Sequence, residues 1–324
     1  FELAELSAIR LVDIDLPLEF ANQHPGPQFG ATGTRHFMGD HKGSLIGTII
    51  KPSVGFTADE TASLVRTLVD AGIDFIKDDE LQANGPDCPF DDRLDAVMRV
   101  INSHADKTGK KILYAVNITD EIDQMWRNLD KMESVGATCA MVCVQSVGLT
   151  GLRAVRDRSG VLIHGHRAGW GLLSRSPDIG IDFAVMQKLW RLAGADHLHV
   201  SGLANKFTES DATVAKAAKS VQQPLFGNGG PAYLAMPVYS SSQTIWQFAP
   251  TRKLLGNDDF IYCAGGGIMS HPGGPADGVT SLREAAEAAH LGLSLKEFAA
   301  PGSPLKRAMD HFDIPFINLS NSEI

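Results

Sequence analysis

The chain has too little positive charge to court a polyanion: 29 Lys and Arg stand against 38 Asp and Glu, a net charge of −9. That balance repels nucleic acid and anionic membrane, and leaves a small molecule as the default ligand. Cysteine is also scarce. The four residues Cys88, Cys139, Cys143 and Cys263 include no CxxC pair, which excludes a disulfide framework and a zinc knuckle and points to a reduced, cytoplasmic chain. No apolar run reaches ~18 residues, so no transmembrane helix is expected. The first residues show no signal-peptide pattern, so none is expected in this stretch, which begins at Phe1 rather than Met. What is present is ordinary globular composition, 44% apolar and 21% charged, over 324 residues. At ~100 to 200 residues per domain, that length suits two small domains or one large α/β barrel with extensions.

Residues 1–43 lack steady periodicity and carry breakers at Pro17, Pro25, Gly26, Pro27 and Gly30, which predicts an extended lead-in with one short strand or helix around Ile9–Ile14. Beyond it, short apolar, β-branched runs alternate with amphipathic stretches. The runs predict strands at Leu45–Lys51, Phe75–Asp79, Ile112–Asn117, Cys139–Gln145, Val161–His166, His197–Val200, Pro237–Ser240 and Phe260–Ala264. Thr57 is positioned to cap a helix with Leu64, Val65, Leu68 and Val69 on one face. Thr119-Asp120-Glu121 opens another, and Gly72, Gly136 and Gly194 close helices before the next strand. Eight βα units over ~245 residues fit a (β/α)8 TIM barrel better than a doubly wound sheet of ~5 to 6 strands. After Ala300 the chain reads as a C-terminal helical extension, so residues 44–324 form the barrel with its tail.

In such a barrel the chemistry sits at the C-terminal strand ends. Lys77-Asp78-Asp79-Glu80 is the strongest element there, because three consecutive carboxylates repel one another unless a cation neutralises them. Strand alternation puts Lys77 and Asp79 on one side, and Glu80 rejoins them once the strand ends. Two carboxylates suit Mg2+, a hard cation that prefers oxygen donors. Lys77 either pairs with the carboxylates or adds CO2 at its neutral amine, becoming a carbamate and a third oxygen donor. The bland alternative is a solvated acidic turn.

His164/His166 and His197/His199 are i, i+2 pairs, each pointing to one side of its strand. Metal binding, phosphate binding, proton transfer and plain barrel packing all remain open for them. Arg167 can hold a phosphate bidentately or form a surface salt bridge. Gly265-Gly266-Gly267 follows the last strand, either as a tight turn or as bare amides for a phosphate, with Ser240, Ser241 and Ser242 completing that pocket. Lys51 precedes Pro52, which aims it across the mouth. Lys206 lies in the Gly202–Ser210 loop and is a candidate lid residue.

Taken together, Gly47-Thr48-Ile49-Ile50-Lys51-Pro52, Phe75-Ile76-Lys77-Asp78-Asp79-Glu80, His166-Arg167-Ala168, Asp196-His197-Leu198-His199 and Gly265-Gly266-Gly267 resemble the large chain of ribulose-bisphosphate carboxylase, and more closely its non-carboxylating RuBisCO-like relatives. The resemblance runs from Phe1 to roughly Leu291. It implies that Lys77 is carbamylated and that Asp79 and Glu80 are the other Mg2+ ligands. It implies that Lys51 handles protons at an enediolate and that Lys206 is the mobile-loop lysine. His166 would lie near metal and substrate, Arg167 and His199 would bind one phosphate, and Gly265 and Gly266 the other. An α/β domain preceding residues 1–43 and a homodimer or higher oligomer are further implications.

Departures from the carboxylating pattern are Ser53 for a lysine, Leu81 for an asparagine, Trp170 for a histidine, Ser241 and Ser242 for two glycines, and Val200 as an extra residue. They favour a substrate with one phosphate. The expected function is a Mg2+-dependent enzyme that forms an enediolate from a phosphorylated ketose or keto sugar acid, then decarboxylates it or cleaves a carbon–carbon bond, as apiose-type relatives do. Tautomerisation of the methionine-salvage type and true carboxylation are the alternatives. A zinc hydrolase barrel fits poorly, because its HxH pair belongs on strand one and its lysine on strand four. A non-catalytic barrel is the third class.

Overall fold

Eight parallel strands close on themselves in the computed structural model, which describes residues 5–227 and 229–319. They are β1 (Leu45–Ile49), β2 (Phe75–Lys77), β3 (Leu113–Asn117), β4 (Cys139–Cys143), β5 (Leu162–His166), β6 (His197–Ser201), β7 (Met236–Tyr239) and β8 (Ile261–Cys263). Each pairs with its sequence neighbours, and β8 pairs with β1 through Ile261–Leu45 and Cys263–Gly47. This is the (β/α)8 barrel expected from the sequence. Expected β1, β2 and β4 overran by two residues, because Lys51, Asp79 and Gln145 lie past the last ladder position, where the backbone turns into the mouth.

The strands are covered by α1 (Ala58–Asp70), α2 (Phe90–Thr108), α3 (Ile122–Ser134), α4 (Val144–Arg158), α5 (Phe183–Leu192), α6 (Asp211–Val221), α7 (Ile245–Leu255) and α8 (Pro275–Leu291). Thr57 caps α1 in a reciprocal capping box with Glu60, worth about 1 kcal/mol. The expected face follows: Val65, Leu68 and Val69 are buried and Leu64 partly so. Gly72, Gly136 and Gly194 take φ of +93°, +76° and +110° where helices end, a region that favours glycine. Helices and the outward strand residues form the main core. A second cluster, including Leu45, Phe75, Leu113, Met141, Leu162 and Met236, fills the barrel interior.

The lead-in departs from expectation. A two-residue strand, Arg10–Leu11, does fall within Ile9–Ile14 and pairs with Gly180–Ile181, but the segment also holds a 3-10 turn at Leu18–Asn22 and a helix at Gly30–Phe37. With two glycines in eight residues, that helix has poor intrinsic propensity, and tertiary contacts supply what propensity lacks. The buried Asp196 carboxylate accepts from Phe29 N (2.7 Å) and Gly30 N (3.0 Å), while Arg35 reaches Asp259 (2.8 Å) and the Gly43 carbonyl (2.8 Å). Phe29, Ala31, Phe37 and Met38 then pack on the interior cluster and plug the barrel at the N-terminal strand ends. The expected C-terminal extension forms as Pro304–His311, preceded by a short helix at Leu295–Phe298. Residues 1–4 of the expected lead-in and 320–324 of the extension lie outside the described residues.

Candidate active site

Lys77 closes β2 and is 1% exposed. Its ammonium donates to Asp78 O (2.7 Å) and Glu80 Oε2 (3.3 Å) and stands 3.7 Å from Met141 Sδ. Asp79 is fully buried; Lys51 Nζ bonds its Oδ2 and also donates to Ser53 Oγ at 2.9 Å. Burial alone would raise the Asp79 carboxyl, but hydrogen bonds from Lys51 and the Leu81 amide, with the charges of Lys51 and Lys77, hold it below the usual carboxylate range. Asn117 Nδ2 pins the turn by reaching the carbonyls of Asp79 (3.4 Å), Glu80 (3.4 Å) and Gln82 (3.2 Å).

Asp78 turns the other way. Its carboxylate accepts from Arg93 Nε (3.3 Å) and Nη2 (3.2 Å), from Asn117 N (2.9 Å) and from the Tyr114 hydroxyl. The acidic run is therefore split, and only two of its three carboxylates face the mouth. Arg93 was not foreseen as its partner, although its place between Phe90, Leu94 and Val97 on the buried face of α2 was a readable signal.

His166 Nδ1 accepts from Ala168 N (3.2 Å), so the ring's other nitrogen points at Glu80 Oε2, 3.5 Å away. Its ring lies 4.4 Å from that of His199, whose Nδ1 meets Ser240 Oγ at 3.0 Å. Burial pushes His166 and His199 well below the ordinary histidine value, and neighbouring Lys77 pushes the same way. Both are neutral imidazoles at neutral pH. His164 and His197 lie deeper in the barrel, their Nδ1 atoms 3.3 Å apart.

The expected phosphate ligands are arranged less simply. Arg167 grips Glu209 with both arms (2.9 and 2.7 Å) and lies over the Phe183 ring at 5.1 Å. Glu209 had no distinguishing signal in the sequence. Trp170 is buried against Phe183 and Trp190 behind this pair. Ser242 is exposed, and Ser241 and Ser242 hold φ of +73° and +58°, the left-handed region that favours glycine, at a cost of about 1 to 2 kcal/mol each. Gly266 opens onto free space, whereas a Cβ on Gly267 would meet Gln243 O at 2.5 Å, so the third glycine serves packing. Lys206 is exposed beside Phe207 (5.4 Å to the ring) and, among the described residues, forms no hydrogen bond or ion pair with the cluster. Val200 sits in a bulge: His199 pairs with Val238 and Ser201 with Tyr239, one residue too many on β6.

Lys51, Lys77, Asp79, Glu80, His166, His199 and Ser240 are thus brought into one continuous patch, while Arg167 faces Glu209 and Lys206 stands apart. No group of three or more His, Cys, Asp or Glu side chains that could hold a metal forms among the described residues. Two ammoniums and two carboxylates cancel as they stand. Carbamylation of Lys77 would replace one positive charge by a negative one, giving three anionic oxygen donors and, with the Lys51 ammonium counted, two net negative charges. That set suits a hard divalent cation.

The family profile of the ribulose bisphosphate carboxylase large chain, catalytic domain, matches residues 30–312. A 3-oxo-isoapionate-4-phosphate transcarboxylase/hydrolase from Xanthobacter autotrophicus is 51% identical over 95% of this chain and 74% of its own. A 3-oxo-isoapionate-4-phosphate decarboxylase from Rhizobium etli is 40% identical over 96% of this chain and 75% of its own. The crystal structure of a rubisco-like protein from Burkholderia fungorum superposes with a TM-score of 0.89 at 39% identity, covering 94% of this chain and 75% of that one. Barrel, strand-end lysines and carboxylates, and sequence identity agree: the chain belongs to the ribulose bisphosphate carboxylase large-chain family, alongside its RuBisCO-like members.

Proposed function

We propose that this chain is a Mg2+-dependent RuBisCO-like enzyme that forms an enediolate from a phosphorylated keto sugar acid and then decarboxylates it or cleaves a carbon–carbon bond. The observation that carries the reading is the buried Lys77 ammonium against Glu80, with Asp79 held by Lys51 across the mouth. Lys77 as a carbamate, Asp79 and Glu80 would hold the Mg2+, which supplies charge that lowers the cost of an anion beside a carbonyl. Lys51, half-exposed at the mouth, would accept the carbon-bound proton as a neutral amine, its present proton having left when Asp79 turns from it to the cation. His166, neutral and beside Glu80, offers a ring N–H to a substrate oxygen. Arg167 and the backbone at Gly265 and Gly266, the latter opening onto free space, are assigned to the substrate phosphate, with Ser242 at its rim, Ser240 and His199 beside a substrate hydroxyl, and Lys206 on the loop above. The activities of the relatives, a transcarboxylase/hydrolase and a decarboxylase of 3-oxo-isoapionate-4-phosphate, favour the sugar-acid reaction over tautomerisation. The departures at Ser53, Leu81, Trp170, Ser241 and Ser242 weigh against carboxylation.

Leu81, Leu172 and Phe207 follow the C-terminal strand ends and are 75%, 90% and 59% exposed. Large apolar side chains around a mouth favour a protein cover, so the proposal includes a homodimer or higher oligomer. The test is to incubate the chain in D2O with Mg2+, bicarbonate and 3-oxo-isoapionate-4-phosphate, following deuterium at the carbon beside the carbonyl and the loss of CO2. Turnover should need Mg2+ and vanish in Lys77→Ala. Exchange that needs neither would sink the reading.

A further inference from the structure

A file of hydrogen bonds runs along the inside of the barrel from the plug to the mouth, and the proposed chemistry leaves most of it unused. At the plug, Thr34 Oγ1 lies 2.5 Å from Gly30 O, one turn back in its own helix, and 2.7 Å from His197 Nε2. His197 Nδ1 meets His164 Nδ1 at 3.3 Å, and His164 Nε2 meets His199 Nε2 at 2.8 Å. His199 Nδ1 then meets Ser240 Oγ at 3.0 Å. Both nitrogens of all three rings are therefore engaged.

A neutral imidazole carries one N–H and one lone pair, so a donor at one nitrogen makes the other an acceptor. Burial keeps these rings neutral: it drives His197 down to about 3, and drives His164 and His199 well below the ordinary value, with neighbouring histidines and Lys77 pushing the same way. In a file of neutral rings, the polarity at one end sets the polarity at the other. Thr34 has one hydroxyl proton. A carbonyl 2.5 Å away has none to give, so that proton must lie on the Gly30 side. Thr34 Oγ1 is left to accept from His197.

We propose that Thr34 is a positioning residue for the mouth. Its hydroxyl fixes His197 as the Nε2–H form, His164 as Nδ1–H and His199 as Nε2–H, and thereby draws the Ser240 hydroxyl proton inward onto His199 Nδ1. Ser240 then offers the mouth lone pairs and no proton. The control is exerted over 163 residues of sequence separation between Thr34 and His197.

The test is side-chain 15N NMR of the whole chain labelled at histidine, which distinguishes protonated from unprotonated ring nitrogens. The wild type should show His197 and His199 protonated at Nε2 and His164 at Nδ1. Thr34→Val keeps the shape and removes the directing oxygen, so the His199 signal should become a mixture of tautomers or reverse. Thr34→Ser should restore the wild-type pattern. His199 protonated at Nδ1 in the wild type, or three unchanged tautomers in a folded Thr34→Val, would overturn the proposal. If Thr34→Val does not fold, the wild-type pattern still decides the matter. No Mg2+, substrate or turnover enters the measurement, so its outcome is separate from that of the proposed reaction.

Discussion

Arg93 holds Asp78 through two guanidinium contacts of 3.3 and 3.2 Å, and both side chains are fully buried. One peptide further on, Asp79 faces Lys51 at the mouth. Adjacent carboxylates thus do opposite work, one inside the wall and one in the site. The wall pair also locks β2 to β3, because Asp78 takes Asn117 N and the Tyr114 hydroxyl as well.

Removing the guanidinium strands a buried charge, so Arg93→Leu should cost about 3 to 5 kcal/mol of unfolding free energy. Asp79→Asn keeps the shape and an acceptor for the Leu81 amide, and should change stability by about 1 kcal/mol or less while abolishing turnover. Urea midpoints and activity of the two variants separate the roles. A stable, inactive Arg93→Leu would place Asp78 in the chemistry instead.

The barrel was legible because its signal is local: β-branched runs and capped amphipathic stretches recur with the βα period. Lys77, Asp79 and Glu80 were legible because strand alternation and charge repulsion act over a few residues. What escaped is long-range. Glu209 comes to Arg167 across 42 residues, and Thr34 and Asp196 organise the plug helix with partners more than 160 positions away. The helix at Gly30–Phe37 was missed for the same reason, since its glycines argue against it and only Asp196 and Arg35 contacts argue for it. Strand alternation already set Asp78 apart from Asp79, but its partners Arg93 and Asn117, 15 and 39 residues away, carried no local signal.

Acid should loosen this fold before ordinary carboxylates titrate. His164, His197 and His199 are held below their ordinary value by burial, whereas in the unfolded chain each takes a proton near pH ~6.5. Below that pH the unfolded state binds protons that the folded state refuses. Stability is therefore fully present above about pH 7 and falls as the pH drops through 6.5 towards the folded values. These three rings alone bring the slope to about 4 kcal/mol per pH unit once the unfolded rings are protonated, and His166, held down by burial in the same way, adds to it. Urea midpoints at pH 7.5, 6.5 and 5.5 measure it, and a flat profile across that interval would mean that the rings are charged in the fold.

Glu209 competes for the residue assigned to the substrate phosphate. Both arms of Arg167 are committed to it at 2.9 and 2.7 Å, with the two side chains only 9% and 10% exposed, so a phosphate must displace a carboxylate that already satisfies the fork. Glu209→Gln keeps the size and one acceptor but removes the competing charge. Inorganic phosphate should then bind about 5- to 10-fold more tightly, a gain of about 1 to 1.4 kcal/mol, and KM for the phosphorylated substrate should fall while kcat stays near that of the wild type. Titration calorimetry with phosphate reads the first effect and steady-state kinetics the second. Weaker phosphate binding in Glu209→Gln would instead make the carboxylate a support that orients the guanidinium. In that case Arg167→Lys, which loses the planar fork, should weaken phosphate binding at least as much as Glu209→Gln does.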